Sequence, residues 1–281
     1  MFGFGSDFKA AQAGFNYSAV SGQWWVWAVL FAVLQISVLL LAQNVTGIAS
    51  FVAIFGGFPD ISSLDADMLA KLSKAFIVGL FPSACIAALF VWWSATWANK
   101  TGERGIPLRR LDMGPGGWLV TVGGACLILY AVNILTFTIL GIDPKTYVPT
   151  SDGVNDVTSA SGMVEKIMAD LADEPLLFAL ALPGIILGAP LAEELIFRGP
   201  LFAALRTTWI GKTGAVVLTA AGWSLIHGAS APWLFVFLIF TMGLVLGWLL
   251  LRFGSLWVTF AVHATWNTLS SLAIFGGVAG T

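Results

Sequence analysis

Residues 176–207 read LLFALALPGIILGAPLAEELIFRGPLFAALRT, and this stretch decides the fold. It is too long and too apolar for an ordinary surface helix, yet it holds two adjacent acids, Glu193 and Glu194, followed by Arg198. About 20 apolar residues cross a bilayer as a helix, the conformation that satisfies its backbone internally. Ionisable groups are expensive in hydrocarbon and face the inside of a bundle, so these acids point to chemistry within the membrane. Pro183 predicts a break, leaving a short helix followed by a span of about 24 residues.

Working outward, further apolar runs cover 24–43, 75–97, 117–141, 213–229, 232–251 and 255–275. The expected fold is all-α: a polytopic transmembrane helix bundle of seven spans, or eight if the segment before Pro183 forms a partial one. Composition agrees, with 58% hydrophobic and only 10% charged residues and a mean hydropathy of +0.89, far from the usual shares of a soluble domain. Nucleic-acid binding has no support at a net charge of -2. Cys85 and Cys126 sit in apolar runs at a spacing that fits no zinc or redox motif, and they read as small buried hydrophobes. The first residues lack the basic start and compact apolar core of a signal peptide. No C-terminal Cys-a-a-X box is present, so the chain is not itself a candidate for prenylation.

Charge places the ends. The segment 98–116 carries Lys100, Arg104, Arg109 and Arg110, whereas 142–175 carries seven acids and two lysines. The positive-inside rule puts the first loop in the cytoplasm, and alternation then puts Lys9, Arg206, Lys212 and Arg252 on the same side. The N-terminus is expected in the cytoplasm. Two segments, 61–76 and 157–175, mix apolar and charged residues at helical spacing and read as solvated loop helices or as helices lying along the interface.

Depth follows from a rise of ~1.5 Å per residue. Counted from Arg206, Lys212 and Arg252, the residues Glu193, His227, His263 and Asn267 lie ~16–23 Å inward. Three helices thus bring polar groups to one level, including both histidines of the chain. Glu193 and Glu194 point about 100° apart on a helix, while Glu194 and Arg198 share a face and can pair. This leaves Glu193 as the candidate general base, since an apolar bundle disfavours a free carboxylate charge; the alternative is that both acids belong to an ion-pair network joining helices. His263 and Asn267, at i and i+4, present an imidazole and a carboxamide on one face, which suits an oxyanion clamp or half of a metal site. His227 ends the run WSLIH, with Trp223 one turn earlier to pack beneath it; an interhelical hydrogen bond is its plainer role.

Other protease chemistries lack their residues. There is no HExxH, no Asp within an apolar run, and no G-x-S-x-G elbow around Ser224. Gly184 with Gly188 and Gly243 with Gly247 let helices approach closely.

At these residues the sequence resembles the CPBP family of intramembrane proteases, related to CAAX processing and to bacteriocin immunity, with the type II CAAX prenyl endopeptidase as best-known member. PLAEELIFRGPLF (190–202) is similar to the family's EExxxR block, WSLIH (223–227) to FxxxH with Trp223 for phenylalanine, and HATWN (263–267) to HxxxN. The resemblance covers about 176–275. It implies a catalytic core at 176–281 preceded by an N-terminal transmembrane region at 1–175, the two forming one structural domain. It further implies that Glu193 activates a water that His227 binds or orients, that His263 and Asn267 stabilise the oxyanion, and that Glu194 and Arg198 hold the helix. Glu193, His227 and His263 are also the three protein ligands available to a catalytic zinc. No cofactor is firmly implied, and the metal-free scheme is preferred because Asn267 is a natural oxyanion donor and a poor zinc ligand. The expectation is a bacterial inner-membrane endopeptidase that works in the lipid bilayer on a peptide or membrane-protein substrate. The alternative from another class is a proton-coupled transporter or non-proteolytic scaffold using the same Glu and His residues as a relay.

Overall fold

The computed structural model describes residues 24–60, 65–98, 106–141, 171, 174–227 and 233–279. These residues are almost entirely helical: α1 (Trp24–Phe55), α2 (Ala66–Val78), α3 (Leu80–Ala98), α4 (Pro115–Leu140), α5 (Pro175–Pro183), a π-turn (Gly184–Gly188), α6 (Ala189–Arg198), α7 (Pro200–Leu205), α8 (Gly211–His227), α9 (Trp233–Phe253) and α10 (Leu256–Ala279). Four helical stretches among the described residues are long and apolar enough to cross a membrane: Val26–Phe55, Pro115–Leu140, Pro175–Leu205 and Trp233–Phe253. The pair Ala66–Val78 and Leu80–Ala95, bent by 47°, makes a fifth if it counts as one span. The expected seven or eight spans are therefore matched only in part. Helices do form where 213–229 and 255–275 predict them, but α8 has 17 residues, and α10 carries His263, Asn267 and a series of hydroxyls.

Apolar side chains point outward as well as inward. Leu119 is 75% and Ile139 73% exposed, an arrangement that water penalises and lipid does not. Inside, Val91, Leu129, Ile196, Phe197, Trp223, Leu246, Val258 and Val262 share one core. Helix α6 lies at its centre: of its ten residues only Ala189, Leu191 and Glu193 are not fully buried.

The chain from Pro175 to Leu205 runs on through Pro183 instead of breaking there. Directly after it the five residues GIILG adopt a π-turn, in which the N–H of Ala189 donates to the carbonyl of Gly184. Both glycines bear on α3. A Cβ on Gly184 would stand 2.8 Å from the Cβ of Leu80 and 2.9 Å from the backbone N of Phe81, and one on Gly188 3.1 Å from the Cβ of Ala84. Gly243 and Gly247 do the same between α8 and α9, against Ala220 and Val216. The close approaches expected of both pairs are present.

Two joints complete the frame. At Gly79 the chain bends between α2 and α3, where Thr46 Oγ1 of α1 donates to the Gly79 carbonyl at 2.8 Å. Helix α2 begins with Asp65 accepting from the N–H of Met68 at 2.8 Å, and it occupies the described part of the amphipathic segment 61–76. Most of the segment 157–175 lies outside the described residues; of its end, Leu171 packs with Ile77, Leu177 and Ala181, and Glu174 accepts from Lys74 Nζ at 2.5 Å. The second joint is at the start of α10. The N–H of Leu256 donates to the Pro107 carbonyl at 2.7 Å, Ser255 Oγ to that of Arg109 at 2.6 Å, and Trp257 Nε1 to that of Leu108 at 3.3 Å.

A methyl added to Gly243 would stand 2.8 Å from the Cβ and 2.9 Å from the Cα of Ala220, whereas one on Gly123 meets nothing within 4 Å. Gly243→Ala should therefore destabilise the protein by about 1–3 kcal/mol through overpacking. Gly123→Ala should be neutral or stabilising by up to about 1 kcal/mol. Unfolding midpoints of the two variants in the same detergent check this.

Candidate active site

Three helices bring the polar groups together. Helix α6 supplies Glu193, Glu194 and Arg198, α8 supplies Trp223 and His227, and α10 supplies His263. Glu194 and Arg198 are fully buried and pair at i and i+4, with Arg198 Nη1 3.3 Å from Glu194 Oε1. The guanidinium carbon lies 4.6 Å from the centre of the Trp223 ring, so an aromatic face shares the load of this buried cation.

Glu193 takes the other direction, as expected of the neighbouring position. Its Oε1 is 3.6 Å from His227 Nε2 and its Oε2 3.8 Å from His263 Nε2. The tautomers follow from the partners. His227 Nδ1 is 2.8 Å from the Trp223 carbonyl; a carbonyl only accepts, so Nδ1 carries the hydrogen and Nε2 turns toward Glu193. His263 Nδ1 is 3.1 Å from Glu194 Oε1, and an ion-paired carboxylate likewise only accepts. Both rings are thus anchored through Nδ1 and present Nε2 to one carboxylate. Trp223 ties the group together: its indole N–H donates to Glu193 Oε2 at 2.7 Å, and its ring meets those of His227 and His263 edge-on at 5.3 and 5.1 Å.

Glu193, His227 and His263 therefore converge as depth counting anticipates, and Glu194 pairs with Arg198 as spacing anticipates. Asn267 is placed differently. Its carboxamide Nδ2 donates to the Ile185 carbonyl in the π-turn at 3.0 Å. Two further roles escape the sequence reading. Glu194 holds a histidine as well as an arginine, and Trp223 grips the carboxylate as well as underlying His227. A buried indole needs an acceptor for its N–H, and that rule, applied to WSLIH beside an acidic helix, is the signal that finds the second of them.

A metal fits this set poorly. Ligands around one tetrahedral zinc at ~2.0–2.1 Å lie roughly 3.3 Å apart, whereas here two different oxygens of Glu193 face the two imidazoles at 3.6 and 3.8 Å. One of those oxygens is already taken by the Trp223 indole. Among the described residues no group of three or more His, Cys, Asp or Glu side chains is arranged to hold a metal ion.

Residues 175–269 match the family model of the type II CAAX prenyl endopeptidase, Rce1-like. The matched segment is similar to that family. It contains every polar residue of the site just described, with all of α6 and α8 and the first part of α10. The match supports an intramembrane endopeptidase of the CAAX type, hence a hydrolase that takes a peptide or protein substrate, and with the apolar helices it supports an integral membrane protein. No curated protein and no solved structure matches the chain.

Within the matched segment, Trp223→Phe keeps an aromatic ring near His227 but removes the N–H that holds Glu193 together with part of a fully buried indole. A hydrogen bond to a charged group contributes about 1.5–3 kcal/mol. Cleavage by this variant should fall about 10- to 100-fold, and the unfolding midpoint should fall as well, because a fully buried ring loses volume and a hydrogen bond. A turnover assay beside a melting curve reads both.

Proposed function

We propose that the protein is an intramembrane endopeptidase in which Glu193 is the general base and no metal takes part. The observation that carries this reading is the pair of Nδ1-anchored imidazoles facing Glu193. A water at ~2.8 Å from both Glu193 Oε1 and His227 Nε2 fits their 3.6 Å separation. Glu193 removes a proton from it, and the oxygen adds to the scissile carbonyl carbon. When the C–N bond breaks, the proton on Glu193 goes to the leaving amine.

His263 is the ring that faces both carboxylates, at 3.1 and 3.8 Å, and in this reading its Nε2 stands on the oxyanion side of the site. Asn267 uses one N–H on Ile185 and has a second for the same oxyanion. In this reading α8 and α10 cross the membrane beside the apolar helices, the N-terminus is cytoplasmic, and the membrane is a bacterial inner membrane.

The test is comparative peptidomics of cells expressing wild-type or Glu193→Gln protein, followed by cleavage assays on the precursor so found. Glu193→Gln and His227→Ala should each reduce cleavage by at least about 10²-fold, at unchanged expression. Wild-type rates in either variant would overturn the assignment. A tight zinc chelator should leave the rate unchanged, and a loss reversed by zinc would move the mechanism to a metal.

A further inference from the structure

The proline at 190 leaves a gap in the backbone of the helix that carries the acids. In the π-turn the N–H of Ala189 bonds five residues back, to Gly184. The next bond of that ladder would run from residue 190 to the Ile185 carbonyl, and Pro190 has no N–H to make it. In an α-helix the Ile185 carbonyl would be served by Ala189, whose N–H is already committed. The carbonyl so stranded is the one that receives the Asn267 carboxamide, at 3.0 Å.

The alternative winding has the same deficiency one residue on. Were the turn to relax to α, Ala189 would serve Ile185 and Pro190 would strand Ile186 instead. That carbonyl lies about 100° further round the helix axis, away from Asn267. Only the π register therefore places the stranded carbonyl where a partner waits. The registers differ by one residue per turn, so the change would swing every side chain beyond it, Glu193 and Glu194 included, by about 100° relative to the helix before it. On the opposite side, Gly184 and Gly188 are pressed against Leu80, Phe81 and Ala84 of α3, so the turn is held between α3 and α10.

We infer that Asn267 is a positioning residue that sets the register of the Glu193 helix by supplying the donor that Pro190 withholds from Ile185. One residue of the HATWN run, His263, then meets the carboxylate directly. The other, one turn away, fixes where that carboxylate stands. The consequence for catalysis rests on the protease reading, whereas the link between Asn267 and Pro190 does not.

The experiment is a cycle of Asn267→Ala, Pro190→Ala and the double variant in one detergent, with unfolding midpoints measured without substrate. Asn267→Ala should lower the midpoint by about 4 °C in the wild-type background. It should lower it by less than half as much in the Pro190→Ala background, where the restored backbone N–H can serve the carbonyl itself. Equal losses in the two backgrounds would overturn the inference. On a cleaved substrate, Pro190→Ala should be at least as stable as wild type yet about 10-fold slower in kcat at unchanged KM, because the helix is free to take the α register. Wild-type kcat in Pro190→Ala would overturn the role in positioning Glu193. A wild-type protein that cleaves nothing would overturn the protease reading alone, since the stability cycle would still report on Asn267 and Pro190.

Discussion

Two adjacent carboxylates in an apolar bundle are the constraint around which the rest is organised. Each would be prohibitively expensive alone. Glu194 is matched by a buried guanidinium, which rests in turn on an indole face, and Glu193 is matched by that same indole's N–H and by two imidazoles. One tryptophan therefore serves both acids, through its face and its edge. Because Glu194 also holds His263, the acid that looks structural is the one that orients a ring toward the acid that looks catalytic. Neither half of the cluster can be altered without disturbing the other.

Packing fixes this cluster by close backbone contact more than by side-chain bulk. The glycines of the π-turn bring α3 against the helix that carries the acids, and those of α9 bring α8 inward with Trp223 and His227. A bundle in lipid gains little from hydrophobic burial between helices, so such contact and internal hydrogen bonding must do much of the holding. Buried polar pairs such as Gln35 with Ser94, joined at 2.9 Å between α1 and α3, serve the same end.

The sequence discloses a good deal of this. An all-helical bundle follows from apolar run lengths, and the meeting of Glu193, His227 and His263 follows from counting residues inward from basic ends, because helical rise is nearly constant. Pairing of Glu194 with Arg198 is legible for the same reason, being periodic. What stays hidden is what periodicity does not encode. The π-turn adds a residue to one turn and replaces the break expected at Pro183, so the direction of every later side chain depends on a local event with no repeating pattern. Asn267 has a partner that spacing does not reveal: its interval from His263 puts it on the same face, but one of its N–H groups is held by a backbone carbonyl, which no motif names. The number of spans is also weakly encoded, because α8 is short for a span and α10 interrupts its apolar run with His263, Asn267 and a series of hydroxyls.

The joint at the start of α10 has a consequence for how the molecule is assembled. The first amide of that helix is completed by a carbonyl from Pro107, and the neighbouring serine by one from Arg109. Such a long-range cap closes a very large loop, and loop closure is the slow, entropically opposed kind of step in folding. The last helix, with His263 on it, can therefore be seated only after the chain made earlier has been laid in place to receive it. Synthesis from the N-terminus delivers the two parts in that order, so the receiving segment already exists when the helix emerges.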